Sequence, residues 1–220
     1  MFRIKICGVT NADDARAAVD AGAEALGVNF YRSSKRFVEL DIARQIADVV
    51  PANVAKVGVF VNHSAREIQD AVESLQPAYI QLHGDEPPEF IAEFPTPTKI
   101  IRAYRCGPHG LAPLASYLEQ CDSCGRVPDA VLLDSDAAGA FGGTGRAADW
   151  SLIADQRAML CEVPLILAGG LSSANVGAAI TAIRPDAVDV ASGVEREPRL
   201  KDRGLMKQFV ASARQAFSGI

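Results

Sequence analysis

Two turns near the end of the chain have the composition of a phosphate-binding site. Gly169 and Gly170 end an apolar run rich in Leu and Ile, and Ser192 and Gly193 end a second run after an intervening helical pattern. Glycines let the backbone come close to an anion, and a helix that follows directs its free N–H groups at that anion. The alternative is that these residues only form tight connections. Two such turns at this spacing favour the phosphate site and predict a phosphorylated small-molecule ligand.

Cys7 and Asp134 are candidates for acid–base chemistry, because each stands at the end of an apolar run. A thiolate is a competent base, and a nearby cation such as Lys5 favours that form. A carboxyl group serves as a general acid when its surroundings keep it protonated. The structural alternatives are a small buried cysteine and a helix-capping or ion-paired aspartate. His83 ends another run and is a third candidate, with a hydrogen-bonded structural histidine as its alternative.

Two loops add further groups to these run ends. The loop at 31–36 is basic and includes Arg36, whose guanidinium suits a carboxylate through a bidentate fork. The loop at 135–148 contains four glycines, among them Gly143 and Gly145. A loop of this length in a compact domain is usually functional, and its glycines permit either a mobile lid or a backbone cradle for an anion.

Eight short apolar runs alternate with helical patterns and must position these residues. The runs are short and rich in Val and Ile, which indicates buried strands. They span about 3–9, 24–30, 55–61, 78–84, 98–105, 129–135, 164–170 and 187–192. Strict alternation predicts parallel pairing with right-handed crossovers, so we expect an α/β fold, a closed (β/α)8 TIM barrel formed by a single domain of residues 1–220. A doubly wound open sheet is the alternative.

Alternation along each strand predicts where the polar side chains point. Outward faces must be apolar to meet the helices, so the polar side chains point into the barrel and towards its mouth. This inward set comprises Lys5, Cys7, Gln81, His83, Asp134 and Asp189. The first and eighth strands are neighbours in a closed barrel, so Lys5 and Asp189 are predicted to pair, because buried charges need partners. Elsewhere, Ser64 and Glu67 have the spacing of a capping box.

Composition narrows the class of protein. The chain has 220 residues, is 49% apolar and carries a net charge of −5, which argues against a broad nucleic-acid-binding face. Its start lacks a signal-peptide layout, and its apolar runs are too short to span a membrane. We therefore expect a cytoplasmic monomer without nucleic-acid or membrane partners. Cys121 and Cys124 lack the second ligand pair of a zinc site, so we predict no metal and two ordinary thiols in a surface loop.

Seven short motifs occur in the order found in a known family. They are Lys5-Ile-Cys-Gly8, Ser34-x-Arg36, Gln81-Leu-His-Gly84, Leu132-Leu-Asp134, Gly142-Gly-Thr-Gly145, Ala168-Gly-Gly-Leu171 and Val188-Asp-Val-Ala-Ser-Gly-Val-Glu195. Together they resemble the phosphoribosylanthranilate isomerases of tryptophan biosynthesis, from about residue 3 to Asp202. The chain departs from the family's usual residues at Ala148, Ser173-Ala174 and Ala191, the last of which removes a hydroxyl on the phosphate side.

The resemblance implies an Amadori rearrangement of N-(5-phosphoribosyl)anthranilate, with Asp134 as general acid and Cys7 as general base. It implies no cofactor, because the substrate provides its own electron sink. Arg36 would bind the anthranilate carboxylate, and the other implied substrate-binding residues are His83, Gly143, Gly145, Gly169, Gly170, Ser192 and Gly193. Two alternatives stay open: the aminoaldose isomerase barrel of histidine biosynthesis, which by resemblance uses two aspartates, and a non-catalytic phosphate-binding barrel.

Overall fold

The predicted barrel is present in the structure, a computed structural model. It describes residues 1–95, 97–107, 110–134, 150–160 and 162–220. Within these residues eight parallel strands close into a barrel, each bonded to the next and the eighth to the first. They are β1 (Ile4–Cys7), β2 (Ala25–Asn29), β3 (Ala55–Phe60), β4 (Tyr79–Leu82), β5 (Lys99–Arg105), β6 (Ala130–Asp134), β7 (Leu165–Ala168) and β8 (Ala187–Val190). All eight predicted runs are strands, and the open-sheet alternative is wrong.

Helices follow the strands around the outside of the barrel. In the described part of the chain they are α1 (Ala12–Ala21), α2 (Leu40–Val49), α3 (Ala65–Leu75), α4 (Pro88–Ala92), α5 (Ala112–Ser123), α6 (Trp150–Gln156), α7 (Val176–Ile183) and α8 (Arg203–Phe217). Short 3-10 helices span Arg157–Leu160 and Ser192–Val194, and β9 (Glu195–Glu197) pairs with β10 (Leu200–Lys201) in an antiparallel ribbon. None of these helices combines the length and apolar character that a membrane crossing requires.

The local sequence explains how a typical outer helix forms. Ser64 caps α3, because its side chain accepts from the Glu67 N–H at 3.4 Å and the Glu67 carboxylate accepts from the Ser64 N–H at 2.8 Å. The predicted capping box is therefore confirmed. Apolar side chains at helical spacing then bury one face of α3 through Ile68, Ala71 and Leu75.

Apolar residues form two layers separated by the sheet. Outward side chains such as Ile4 and Ile6 pack against the helices in the larger cluster. A smaller cluster fills the barrel interior, and at its amino-terminal end the Phe2 and Tyr79 rings meet edge to face at 5.5 Å. Buried polar side chains lie beside this cluster, and Lys5 is opposite its member Ala25 in the strand register.

Lys5 and Asp189 form the predicted buried pair. They lie opposite each other in the register of β1 and β8, and Lys5 Nζ is 3.1 Å from Asp189 Oδ2. Lys5 is fully buried. Burial alone would lower its pKa, but the Asp189 carboxylate and the Cys7 sulfur outweigh burial and raise the pKa of Lys5, so it stays a cation.

The prediction that Cys121 and Cys124 share a surface loop is wrong for Cys121. It lies within α5 and is buried, while Cys124 caps the end of that helix and is exposed. The reason is that Leu114, Leu118 and Cys121 continue one apolar helix face into the last turn of α5. Burial raises the pKa of Cys121 to about 11, which indicates a packed, unreactive thiol.

Candidate active site

The carboxyl ends of the barrel strands surround a cavity of about 450 Å³. Most predicted site residues that the structure describes line this cavity: Cys7, Arg36, His83, Asp134, Gly169, Gly170 and Ser192. Gly193 follows directly in the chain and packs behind this wall, against the backbone of Leu171. Gly143 and Gly145, together with the rest of the glycine-rich loop, lie outside the described residues. The strand ends therefore bring a thiol, an imidazole and a carboxyl group to one end of the barrel, and the loop after β2 adds a guanidinium.

Cys7 ends β1 and has space for its sulfur only because its neighbour in β2 is glycine. Gly27 lies opposite Cys7 in the strand register, and a Cβ at Gly27 would be 2.5 Å from Cys7 Sγ. Any larger residue at this position would displace the thiol. Sequence reasoning did not identify Gly27, although strand alternation places it on the inward face of β2 beside Cys7.

The environment of Cys7 keeps it a thiol in the resting protein. Burial raises the pKa of Cys7, and the nearby Asp189 carboxylate acts in the same direction. The Lys5 and Lys201 ammonium groups lower it, as expected for Lys5, but burial outweighs them. Only a minor fraction of Cys7 is therefore thiolate near neutral pH, and the Lys5 and Lys201 ammonium groups stabilise that fraction.

Arg36 lies across the end of β1 and is held there by a carboxylate. Gly8 has φ +74°, and a Cβ on it would be 2.2 Å from Arg36 Cδ, so the absence of a side chain makes room for the arginine. Glu195 accepts from Arg36 Nε at 2.7 Å and from Nη2 at 2.6 Å. This bidentate pair uses one edge of the guanidinium. The Nη1 group and the second N–H of Nη2 form the other edge, which is not engaged by Glu195.

Lys201 connects the ribbon formed by β9 and β10 to the ends of β1 and β8. Its buried ammonium donates to the backbone oxygens of Cys7 at 2.6 Å and Ala191 at 2.9 Å, and to Glu195 Oε1 at 2.9 Å. Burial lowers the pKa of Lys201, although the Glu195 carboxylate counteracts this effect. Lys201 and Arg36 share one carboxylate, so these three groups together carry a net positive charge that favours an anionic ligand.

Glu195 and Lys201 are two further residues of the site that sequence reasoning did not identify. Burial alone would raise the pKa of Glu195, but hydrogen bonds and charge from Arg36 and Lys201 hold that pKa below its ordinary value. Glu195 therefore stays ionised and keeps Arg36 in place. The β9–β10 ribbon that carries both residues is too short to give a periodic pattern. The available signal was the family resemblance, because Glu195 ends the last of the seven motifs and Lys201 lies at the end of the region that resembles the family.

His83 and Asp134 approach each other above Gln81. His83 Nε2 is 3.6 Å from Asp134 Oδ2, and both side chains are largely shielded from solvent. On the other side of the ring, Gln81 Nε2 is 2.9 Å from His83 Nδ1. Gln81 Oε1 in turn accepts from Lys5 Nζ at 2.8 Å. The polar contacts thus cross the barrel from β1 to β6.

The two glycine turns pack directly on each other. Gly169 and Gly170 both have positive φ, +86° and +61°, which favours glycine. A Cβ on Gly193 would lie 1.9 Å from the Leu171 carbonyl oxygen, so the second turn fits against the first only without a side chain. The predicted helix after Gly170 does not begin at the turn, because residues 171–175 intervene before α7. Its N-cap Asn175 instead accepts from the Ser172 N–H at 2.8 Å.

Comparison with known proteins shows the same fold and sequence pattern. A family model described as N-(5'phosphoribosyl)anthranilate (PRA) isomerase matches residues 4–212. The N-(5'-phosphoribosyl)anthranilate isomerase of Bordetella petrii is 42% identical over 217 residues, covering 97% of this chain and 96% of its own. The crystal structure of the phosphoribosyl anthranilate isomerase of Thermotoga maritima superposes with a TM-score of 0.85 at 38% identity, covering 98% of this chain and 100% of that one. A phosphoribosyl anthranilate isomerase in complex with reduced 1-(o-carboxyphenylamino)-1-deoxyribulose 5-phosphate has a TM-score of 0.82 at 36% identity, with 98% and 100% coverage.

Proposed function

This chain belongs to the N-(5'-phosphoribosyl)anthranilate isomerase family, and from that premise we propose that Cys7 and Asp134 are the base and the acid of its reaction. The family activity places the enzyme in tryptophan biosynthesis. The observation that carries the proposed roles is that both side chains line one cavity together with the glycine turns. A phosphosugar held by these turns would lie between the thiol of β1 and the carboxyl of β6.

The proposed reaction is an Amadori rearrangement in which protons move at two positions of the sugar. Asp134 donates its proton to the furanose ring oxygen, the bond from that oxygen to C1 breaks, and the anthranilate nitrogen lone pair forms an iminium at C1. The Cys7 thiolate then removes the proton from C2, and the released electron pair forms the C1–C2 double bond of an enolamine. Loss of the proton from the C2 hydroxyl and protonation of C1 give the ketone. The iminium supplies the electron sink, so the reaction needs no cofactor.

We assign Arg36 to the carboxylate of the anthranilate ring. Glu195 already uses the edge of the guanidinium formed by Nε and Nη2, so the substrate carboxylate would bind the edge formed by Nη1 and the second Nη2 proton. A guanidinium can bind two carboxylates in this way, because it carries five N–H groups in one plane. Glu195 would then fix the orientation of Arg36 before substrate arrives, which lowers the entropic cost of binding.

The phosphate would bind at the two glycine turns. Gly169, Gly170, Ser192 and Gly193 offer closely spaced backbone groups, and the Ser192 side chain adds a hydroxyl beside the cavity. This is the position, after strands seven and eight, at which phosphate sites commonly occur in barrels. Ala191 supplies no hydroxyl here, so backbone N–H groups would carry most of the binding.

A direct test is turnover of phosphoribosylanthranilate by the purified protein, followed by loss of substrate fluorescence. We expect conversion to the carboxyphenylamino-deoxyribulose phosphate without added cofactor, and no comparable turnover of the aminoaldose from histidine biosynthesis. The reason is that β1 ends in a cysteine, whereas the isomerase of histidine biosynthesis, by resemblance, uses two aspartates. Ligand binding without turnover would favour the non-catalytic barrel, and turnover of the histidine-pathway substrate alone would favour the other isomerase.

Gly193→Ala tests the phosphate site. The added Cβ would collide with the Leu171 carbonyl, so one glycine turn must move relative to the other, and we expect KM to rise at least about 10-fold with a smaller change in kcat. Gly177→Ala is the matched control, because its Cβ would meet only Ala216 Cβ at an ordinary 4.0 Å. An unchanged KM for Gly193→Ala in a correctly folded variant would contradict the assignment.

We also propose that the enzyme is a cytoplasmic monomer without nucleic-acid or membrane partners. The net charge of −5 supports the lack of a nucleic-acid partner, since a broad basic surface is the usual mark of such binding. Every residue assigned above to acid–base chemistry, carboxylate binding and phosphate binding comes from one chain. That arrangement is consistent with a monomer that is active on its own.

A further inference from the structure

A line of polar side chains crosses the barrel, and three of its four members, Gln81, His83 and Asp134, line the cavity. Lys5 Nζ donates to Gln81 Oε1 at 2.8 Å, Gln81 Nε2 is 2.9 Å from His83 Nδ1, and His83 Nε2 is 3.6 Å from Asp134 Oδ2. Gln81 is 1% exposed and Lys5 is fully buried, so water does not compete for the contact between these two side chains. The mechanism above uses Asp134 but gives no role to Gln81. A buried amide in contact with both a cation and an imidazole therefore calls for an explanation.

Lys5 decides which way the Gln81 amide points. An ammonium group has donors and no acceptor, so the atom of Gln81 that faces Lys5 must be the carbonyl oxygen. The opposite orientation would place an NH2 group against an NH3⁺ group in a buried site, with both donors unsatisfied. The positive charge of Lys5 is itself secured by Asp189 at 3.1 Å. The hydrogen-bond partners thus leave the NH2 group of Gln81 directed at His83.

The orientation of Gln81 in turn decides where the proton of His83 lies. An NH2 group can only donate, so Nδ1 of the neutral ring must be the acceptor and Nε2 must carry the hydrogen. We propose that Gln81 is a positioning residue, which holds His83 in the tautomer whose Nε2–H faces Asp134. The consequence for catalysis rests on the general-acid role proposed above for Asp134.

A fixed Nε2–H would help Asp134 at the moment its proton leaves. The N–H facing Oδ2 disfavours a proton on that oxygen, so the acidic proton is placed on Oδ1. When the carboxyl loses this proton to the sugar, the same N–H donates to the new carboxylate and lowers the energy of the transition state. The separation of 3.6 Å leaves room for the contact to shorten as charge develops.

Other groups around His83 do not replace Gln81 in this role. Arg105 on β5 donates to the His83 backbone oxygen at 3.5 Å and lies opposite Asp134 in the strand register. Lys5 reaches the ring only through Gln81. Among the contacts described for the His83 ring, only the one from Gln81 involves Nδ1, so this contact fixes the tautomer.

The tautomer can be read directly by NMR of protein labelled with ¹⁵N in histidine. The spectra are recorded about 2 pH units above the ordinary imidazole pKa of about 6.5, and His83→Gln identifies the His83 signals. We expect a protonated Nε2 and an unprotonated Nδ1 in the wild type. In Gln81→Glu the carboxylate accepts from Nδ1, so we expect Nδ1 to become protonated. Gln208→Glu, the same change on the exposed face of α8, should leave the His83 signals unchanged.

Kinetics then connect the tautomer to the reaction. We expect Gln81→Glu to lower kcat at least about 10-fold while KM changes much less, because an imidazole in the wrong tautomer fails in the transition state and not in substrate binding. Gln81→Met, which has similar length and no donor, should give a mixed tautomer population and an intermediate kcat. This variant keeps the test valid if Gln81→Glu does not fold, as judged by its unfolding curve.

The outcomes separate this inference from the proposed function. A wild-type His83 with a protonated Nδ1 would overturn the inference, whatever the activity of Asp134 variants. A switched tautomer with unchanged kcat would also overturn it, because His83 would then be a purely structural neighbour. Full activity of Asp134→Asn would instead overturn the proposed acid and, with it, the catalytic consequence, while the NMR result on the tautomer would stand.

Discussion

Cys7→Ala is expected to lower kcat by about 10²–10⁴-fold, the usual contribution of one general base. Without the sulfur, no side chain at the end of β1 can take the proton from C2 of the sugar. KM should change little, because Arg36 and the glycine turns, which are assigned to binding, are not altered. Steady-state turnover of phosphoribosylanthranilate by the variant and the wild type, measured side by side, checks this expectation.

Cys7→Ser separates catalysis from packing. A serine hydroxyl fills nearly the same space beside Gly27, but it is a far weaker acid than a thiol and supplies almost no anion at neutral pH. We therefore expect Cys7→Ser to be almost as inactive as Cys7→Ala and to fail in a complementation test. Cys124→Ala, at the exposed end of α5, is the matched cysteine control and should retain activity. A fully active Cys7→Ser variant would rule out Cys7 as the base.

Asp134→Asn is expected to cause a loss in kcat of similar size, about 10²–10⁴-fold. The amide has the shape of the carboxyl group and can still contact His83, but it has no acidic proton to give to the ring oxygen. Asp70→Asn on the exposed face of α3 makes the same chemical change away from the cavity and should be silent. Near-normal turnover by Asp134→Asn would mean that another group opens the ring.

The pH dependence of kcat/KM provides a second readout of the same variant. The proposed base is the Cys7 thiolate, and burial raises the pKa of Cys7, so the thiolate fraction grows about tenfold per pH unit until that raised pKa is reached. In Asp134→Asn this position has no ionisable group, so the residual kcat/KM should rise with pH as the thiolate fraction of Cys7 grows. A flat profile in that variant would contradict the Cys7 thiolate as the base.

Much of the architecture could be predicted because it depends on local rules. Side chains alternate across a strand by covalent geometry, so the sequence identified Lys5, Cys7 and Asp134 as inward groups without any knowledge of the fold. Parallel strands joined by helices close in a known order, and therefore Lys5 could be paired with Asp189 although the two lie near opposite ends of the chain. The capping box of α3 was equally predictable, since it involves neighbouring residues.

Contacts between loops could not be predicted, because loop backbones are not periodic. Arg36 was identified as a carboxylate-binding residue, but nothing in the sequence indicated that Glu195 holds it or that Lys201 donates to the Cys7 carbonyl. These partners lie far apart along the chain and meet only when the β9–β10 ribbon folds over the barrel mouth. Cys121 was predicted in a surface loop for a related reason. The sequence did not show that α5 extends past Cys121, and this extension is what buries its side chain.

The sequence by itself determined the barrel, the inward polar set and the two glycine turns, because each follows from a periodic or nearest-neighbour pattern. Only the tertiary structure decided the pKa shifts of Lys5 and Cys7 within that set. The pKa of Cys7 is raised because burial outweighs two cations, and this balance depends on distances in three dimensions. The orientation of Gln81 is likewise set by a lysine on another strand. Residue types are a property of the chain, but the charge and tautomer they adopt are properties of the packed site.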